Sequence, residues 1–128
     1  MKNSFFPTNL SIMSMPSINR FEVERIKFVM SYIDKNYREK LRIEHLALEA
    51  GLSKDKLQAG FQKIVGMTCH AYIMKVRIEK AKILLIETDQ PIRSVALNVG
   101  FRKAGHFANV FKKLTSMEPS VYRSENSP

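Results

Sequence analysis

Two seven-residue stretches constrain this chain more than any other feature. Leu46-Ala47-Leu48-Glu49-Ala50-Gly51-Leu52 aligns with Val95-Ala96-Leu97-Asn98-Val99-Gly100-Phe101 at an offset of 49 residues. Past the glycine the likeness continues. Leu57, Phe61, Gln62 and Lys63 align with Phe107, Phe111, Lys112 and Lys113 at an offset of 50, so the second turn is one residue longer. Each copy reads as a short helix with a small residue at a crossing (Ala47, Ala96), a glycine turn, a hydrophobe (Leu52, Phe101), then a basic helix. Alanine lets two short helices cross closely, and glycine takes the left-handed backbone that ends a helix. The second helix is left with a polar face turned outward. The pattern is a helix-turn-helix, written twice.

Helical periodicity fills in the rest. Ile26, Val29, Met30, Ile33 and Tyr37 form one apolar stripe, so a helix is predicted from Phe21. A short helix follows from about Ile43 to Ala50. Ser53 suits the N-cap of a third helix through Val65, with Leu57, Phe61 and Ile64 buried. Thr68 caps a long helix to about Glu87, with one stripe at Met74, Ile78, Ala81 and Leu85 and a second apolar edge at Ile73, Val76 and Leu84. Pro91 fits the first turn of a helix that holds Val95, Ala96 and Val99 and stops at Gly100. A sixth helix, about Ala104 to Leu114, buries Phe107, Val110 and Phe111, and a last short one begins near Pro119 with Val121 and Tyr122. No segment alternates as a strand would. The predicted fold is all-α, with seven helices in two homeodomain-like three-helix units joined by a long linker helix. The corresponding boundaries are 1–19 for an N-terminal arm, 20–66 for the first helix-turn-helix subdomain, 67–90 for the linker helix, 91–123 for the second subdomain and 124–128 for a tail.

Charge narrows the partner. There are 21 Lys and Arg against 12 Asp and Glu, a formal net of +9. Residues 20–52 carry a net of only +1, whereas 53–82 and 91–123 carry +5 each. An excess held in two segments, each at or after a glycine turn, favours a two-part contact with a polyanion, most often nucleic acid and less often a membrane surface. The long helix of about 20 residues would span about 30 Å, near the roughly 34 Å of one turn of B-DNA. Two recognition helices on one chain are therefore expected to fill two successive major grooves.

Other classes find little support. The longest apolar run, Ile83 to Ile86, is four residues, far below the ~20 that cross a bilayer; no membrane partner is expected. Residues 1–16 are broken by Pro7 and by Ser and Thr, which does not read as a secretory signal. The single cysteine, Cys69, suits a reducing cytosol. Cys69-His70 offers no oriented nucleophile, because neighbours at a helix start point apart. His45, His70 and His106 lack metal-ligand spacing with one another or with Cys69. No catalytic residue, metal site or cofactor is expected, and Met67, Met74 and Met117 read as packing.

The residues now resemble a known family. Leu46-Ala-Leu-Glu-Ala-Gly-Leu-Ser-Lys with Leu57…Phe61-Gln-Lys-Ile-Val-Gly-Met-Thr is similar to the first helix-turn-helix of the AraC/XylS transcription regulators. Arg77-Ile-Glu-Lys-Ala-Lys-Ile-Leu-Leu resembles their linker helix. Pro91-Ile…Val95-Ala…Val99-Gly-Phe…Phe107…Val110-Phe-Lys-Lys…Pro119-Ser-Val-Tyr-Arg resembles the signature of the second. The likeness runs from about Ile26 to Arg123. It implies sequence-specific DNA binding in a bacterial, cytoplasmic, nucleoid-associated regulator, which activates or represses promoters through RNA polymerase. Most relatives add an effector or dimerisation domain that this chain lacks, so it is either a short stand-alone member or the C-terminal part of a longer protein.

The resemblance also places the contacts. The first recognition helix would read bases from Asp55, Gln58, Ala59 and Gln62, the second from Ala104, Gly105, Ala108 and Asn109. Gln58 and Asn109 carry amides that can pair bidentately with adenine in the major groove. Ala59 and Asn109 stand where relatives frequently have arginine, which points to modest or shape-led specificity. Ser53, Lys54, Lys56, Arg102, Lys103, Lys112 and Lys113 are the phosphate candidates, and Arg77 is expected in a structural or phosphate role. Gly60 and Gly105 should weaken their helices by about 1 kcal/mol each relative to alanine; Gly105 either allows a close backbone approach or is simply a weak point in its helix. His106 is expected near the DNA face. Two other functions compete: a non-specific basic helical module for anionic partners, and a protein–protein adaptor with weakened DNA readout.

Overall fold

A computed structural model describes residues 19–127, and all but the last residue of the arm assigned to residues 1–19 lies outside that range. Seven helices run in chain order: α1 (Arg20–Asn36), α2 (Ile43–Ala50), α3 (Lys54–Ile64), α4 (Cys69–Glu87), α5 (Ile92–Asn98), α6 (Ala104–Thr115) and α7 (Pro119–Asn126). No strand occurs among the described residues.

The helix starts follow from local chemistry. Asn19, assigned to the arm by its sequence, instead caps α1: its side-chain oxygen accepts from the Glu22 N–H at 2.8 Å. Ser53 Oγ accepts from the Lys56 N–H at 3.1 Å, and Thr68 Oγ1 from the Ala71 N–H at 3.0 Å. Each satisfies an amide with no partner inside its helix. Pro91 falls one residue earlier than its expected place, at the N-cap of α5 rather than in its first turn. Pro119 does open α7, where its missing N–H costs nothing.

Residues 19–35 and 41–72 make one compact unit, and residues 36–40 and 73–127 another, so α4 contributes to both. In the first unit, α1 buries Val23, Ile26, Val29, Met30 and Ile33, α2 buries Leu46, Ala47 and Ala50, and α3 buries Leu57, Phe61 and Ile64. Gly60 is part of this core. A Cβ there would lie 3.0 Å from Cδ1 of Ile26, so its helix-weakening backbone is matched by close passage of α3 against α1. Tyr72 stacks edge-on to Phe61 and donates its hydroxyl to Asp34 at 3.0 Å.

In the second unit Ile78, Ala81 and Leu85 of α4 are buried, as are Val95, Ala96 and Val99, together with a file of rings. Phe101, Phe107, Phe111 and Tyr122 succeed one another at centroid separations of 5.3, 5.6 and 5.4 Å. Of the residues expected inside, Leu84 and Val110 are half-buried. Arg123 ties α7 back onto α4, donating from Nε to the Leu85 carbonyl and from Nη2 to the Thr88 carbonyl.

Candidate nucleic-acid interface

The repeated turn is the same structure twice. Gly51 and Gly100 both have positive φ, +69° and +108°. In the first copy the Gly51 N–H donates to the Leu48 carbonyl at 3.1 Å and the Leu52 N–H to the Ala47 carbonyl at 3.0 Å. In the second, Gly100 donates to Leu97 at 3.1 Å and Phe101 to Ala96 at 2.9 Å. These bonds satisfy the last carbonyls of α2 and α5, as a left-handed cap should, and they set the direction in which α3 and α6 leave.

Burial then separates two faces on each of those helices. On α3, Leu57, Gly60, Phe61 and Ile64 are buried, while Asp55, Gln58, Ala59 and Gln62 are exposed. On α6, Phe107 and Phe111 are buried, Ala104, Gly105 and Asn109 are exposed, and Ala108 is half-buried. The phosphate candidates Ser53, Lys54, Lys56, Arg102, Lys103, Lys112 and Lys113 are exposed as well. Each unit thus brings its own candidates to the solvent side of the helix that follows the glycine turn. Gly105 has open space around it: a Cβ there would meet nothing within 4 Å. His106 is exposed and stands edge-on to Phe101 at 5.3 Å.

The lysines are not all alike. Lys54 Nζ lies 3.2 Å from Glu44, and Lys56 Nζ lies 3.1 Å from Glu22 of α1. Lys112 Nζ is 3.5 Å from Glu118. The backbone at the start of α2, and after it Lys54, hold the Glu44 carboxyl below the usual carboxylate range. These partner carboxylates were not legible in the sequence. Glu22 and Lys56 are 34 residues apart, and no periodicity links them.

Arg77 belongs to the scaffold. It is 8% exposed, donates from Nε to the Tyr37 carbonyl at 2.7 Å and from Nη2 to the Glu39 carbonyl at 2.8 Å, and lies over the Phe101 ring. Of its two expected roles only the structural one fits, because its donors are spent on backbone oxygens. Other bases of the segment 53–82 sit on α4, where Lys82 pairs with Glu79 at 3.2 Å and Lys80 lies over the Tyr37 ring. The +5 of that segment is therefore split between the two helices, +3 on α4 and +2 on α3. Cys69 is buried, and desolvation pushes its thiol up to about 12, which keeps it protonated and unreactive. Among the described residues no group of His, Cys, Asp and Glu could hold a metal ion, and no helix is long and apolar enough to cross a membrane.

Known proteins share this arrangement. A family model described as a helix-turn-helix domain matches residues 46–125. The bifunctional transcriptional activator/DNA repair enzyme AdaA of Bacillus subtilis is 39% identical over 100 residues, covering 78% of this chain and 47% of its own length. The melibiose operon regulatory protein of Escherichia coli is 31% identical over 107 residues, 84% of this chain and 35% of its own. The chain thus spans less than half the length of these relatives. Among solved structures, the C-terminal domain of AraT, a response regulator from Geobacillus stearothermophilus, superposes with a TM-score of 0.78 at 28% identity, over 81% of this chain and 87% of that one. A probable AraC family transcriptional regulator from Rhodopseudomonas palustris gives 0.75 at 28% identity, over 82% and 99%. With its doubled glycine turn, its all-α fold and these relatives, the chain belongs to the AraC family of helix-turn-helix, DNA-binding transcription regulators.

Proposed function

We propose that the chain recognises specific double-stranded promoter or operator DNA by setting α3 and α6 into two successive major grooves. The observation that carries this reading is the turn built twice, each time followed by a helix with a buried apolar side and an exposed side holding the candidate readers. Gln58 and Asn109 are the adenine readers, each amide able to donate an N–H to N7 and to accept from the N6 amino group with its oxygen in a bidentate pair. Asp55, Ala59, Gln62, Ala104 and Gly105 complete the base-facing surface. Of these, Ala59 and Ala104 offer only apolar contact, so part of the specificity comes from DNA shape. Ser53, Lys54, Lys56, Arg102, Lys103, Lys112 and Lys113 hold the phosphates. Residues 20–66 and 91–123 are the two subdomains and 67–90 the linker between them.

On this reading the chain is a regulator and not an enzyme, works in the bacterial cytoplasm at the nucleoid, and passes its signal to RNA polymerase. An effector or dimerisation domain elsewhere in a longer protein would decide when it does so. The test is selection of the purified chain against a randomised duplex of about 25 base pairs at near-physiological salt. Enrichment of two short boxes about 10 base pairs apart is the expected result. A single box would remove the two-groove reading, and no enrichment would leave a basic module without sequence preference.

A further inference from the structure

The two copies of the repeat share a backbone but not a charge. Residues 43–65, which hold α2, its turn and α3, carry Glu44, Glu49 and Asp55 against Lys54, Lys56 and Lys63, a net of zero. Residues 92–115, which hold α5, its turn and α6, carry Arg93, Arg102, Lys103, Lys112 and Lys113 with no acid at all, a net of +5. The repeat makes the difference positional. Where the first copy has Glu44, Glu49, Ser53 and Asp55, the second has Arg93, Asn98, Arg102 and Gly105.

The ion pairs sharpen the contrast. Both lysines that open α3 are engaged, Lys54 by Glu44 at 3.2 Å and Lys56 by Glu22 at 3.1 Å. In the second copy Glu118 reaches Lys112 at 3.5 Å, while Arg93, Arg102, Lys103 and Lys113 make no ion pair among the described residues. A phosphate that takes Lys54 or Lys56 must share the ammonium with a carboxylate that stays beside it and repels the DNA backbone. Arg102 and Lys103 meet a phosphate with no such competitor.

We propose that the two helix-turn-helix units divide DNA binding between them: the second supplies the sequence-independent attraction to phosphate, and the first, held near neutrality by Glu22 and Glu44, engages only where its base contacts fit. The two carboxylates are thus specificity-determining residues that act by suppressing binding to the wrong DNA. This rests on the reading that α3 and α6 both meet duplex DNA. Non-specific affinity follows counterion release, with a salt slope of about −0.9 per phosphate neutralised, so each unit's share can be read from the slope.

The experiment is a salt titration of the full chain on a mixed-sequence duplex of about 25 base pairs, followed by fluorescence anisotropy. Replacing Arg102→Gln with Lys103→Gln should flatten the slope by roughly two. Replacing Lys54→Gln with Lys56→Gln should flatten it by less than half as much. Glu44→Gln, alone and with Glu22→Gln, should tighten binding to this duplex about three- to tenfold and steepen the slope by up to about one per carboxylate removed. Glu44 is exposed, so its single variant keeps the test independent of any effect of Glu22→Gln on α1. Equal flattening by the two basic pairs, or unchanged affinity in Glu44→Gln, would overturn the division of labour while leaving DNA binding intact. A wild-type chain that leaves every duplex free would overturn the DNA reading and this inference together.

Discussion

Gly51 and Gly100 occupy the same position in the two copies of the repeat, yet alanine should be tolerated very differently at them. At Gly51 the backbone is left-handed, φ +69° and ψ +31°, and a Cβ would meet nothing within 4 Å. Gly51→Ala therefore carries only the conformational cost of a left-handed residue, about 1–2 kcal/mol. At Gly100 φ is +108°, outside the region where other residues find relief, and a Cβ would lie 2.6 Å from the Tyr37 carbonyl oxygen and 2.7 Å from Nε of Arg77. A methyl group there cannot coexist with the 2.7 Å bond between those same two atoms. Hydrogen bonds from a charged donor are worth about 1.5–3 kcal/mol, so Gly100→Ala should cost about 3–5 kcal/mol in all. Urea unfolding followed by far-ultraviolet circular dichroism would measure both. With a slope of about 1–2 kcal/mol per molar urea, the midpoint should fall by roughly 1 M for Gly51→Ala and by at least twice that for Gly100→Ala. In an Arg77→Met background the penalty of Gly100→Ala should shrink by at least about 1 kcal/mol, because one of the two clashing partners and the hydrogen bond it makes are gone. Equal costs at the two glycines, or no coupling to Arg77, would refute the reasoning.

Three further outcomes are expected. Gly105→Ala should stabilise the chain by about 0.5–1 kcal/mol in the same urea assay, since α6 gains a helix-favouring residue in open space; a loss of stability would mean that the space is not open. Gln58→Ala and Asn109→Ala should each weaken the preferred site by about 1–3 kcal/mol and relax preference at one base pair, whereas Lys112→Ala should weaken all duplexes alike; indistinguishable profiles in a binding-site selection would undo the assigned roles. Cys69 should resist alkylation in the folded chain and react on unfolding. Because its folded pKa is raised to about 12 against an ordinary 9.0, its contribution to stability is intact below pH 9 and drains away as pH climbs toward 12, by at most about 1.4 kcal/mol per pH unit. Cys69→Ala should flatten that alkaline decline.

Much of the fold could be read in advance because it is local. Helix periodicity, Ser53 and Thr68 as caps, and a glycine after α2 and α5 are decided within a few residues of one another, and their hydrogen bonds lie where the pattern puts them. The capping role of Asn19 could not be read, because an asparagine looks the same in a loop and at an N-cap, and only its bond to the Glu22 amide tells them apart. Pro91 was ambiguous for a related reason, since its fixed φ suits the N-cap and the first turn alike.

The candidate interface was legible in part. That Asp55, Gln58, Ala59, Gln62, Ala104, Gly105 and Asn109 face outward follows from the apolar stripe that faces inward, but their choice as base readers came only from the family resemblance. Gly60 and Gly105 look identical in sequence, each a glycine within a recognition helix. One is pressed against Ile26 and the other stands in the open, a difference that belongs to α1 and not to either helix.

Charge was where local reading failed, and the failure has a physical cause. A net of +5 over residues 53–82 counts Arg77, Lys80 and Lys82 with Lys54 and Lys56, as though one surface displayed them all. Folding spends Arg77 on two backbone carbonyls, sets Lys82 against Glu79 and brings Glu22 across from α1 to Lys56. None of these pairings lowers the formal charge, but each removes a cation from the set that a phosphate meets unopposed. Residues 91–123 lose only Lys112, set beside Glu118, and Arg123, spent on the Leu85 and Thr88 carbonyls. Two segments with equal formal charge therefore present unequal fields, and the salt slope of non-specific binding, which counts phosphates neutralised and not lysines encoded, is the quantity that separates them.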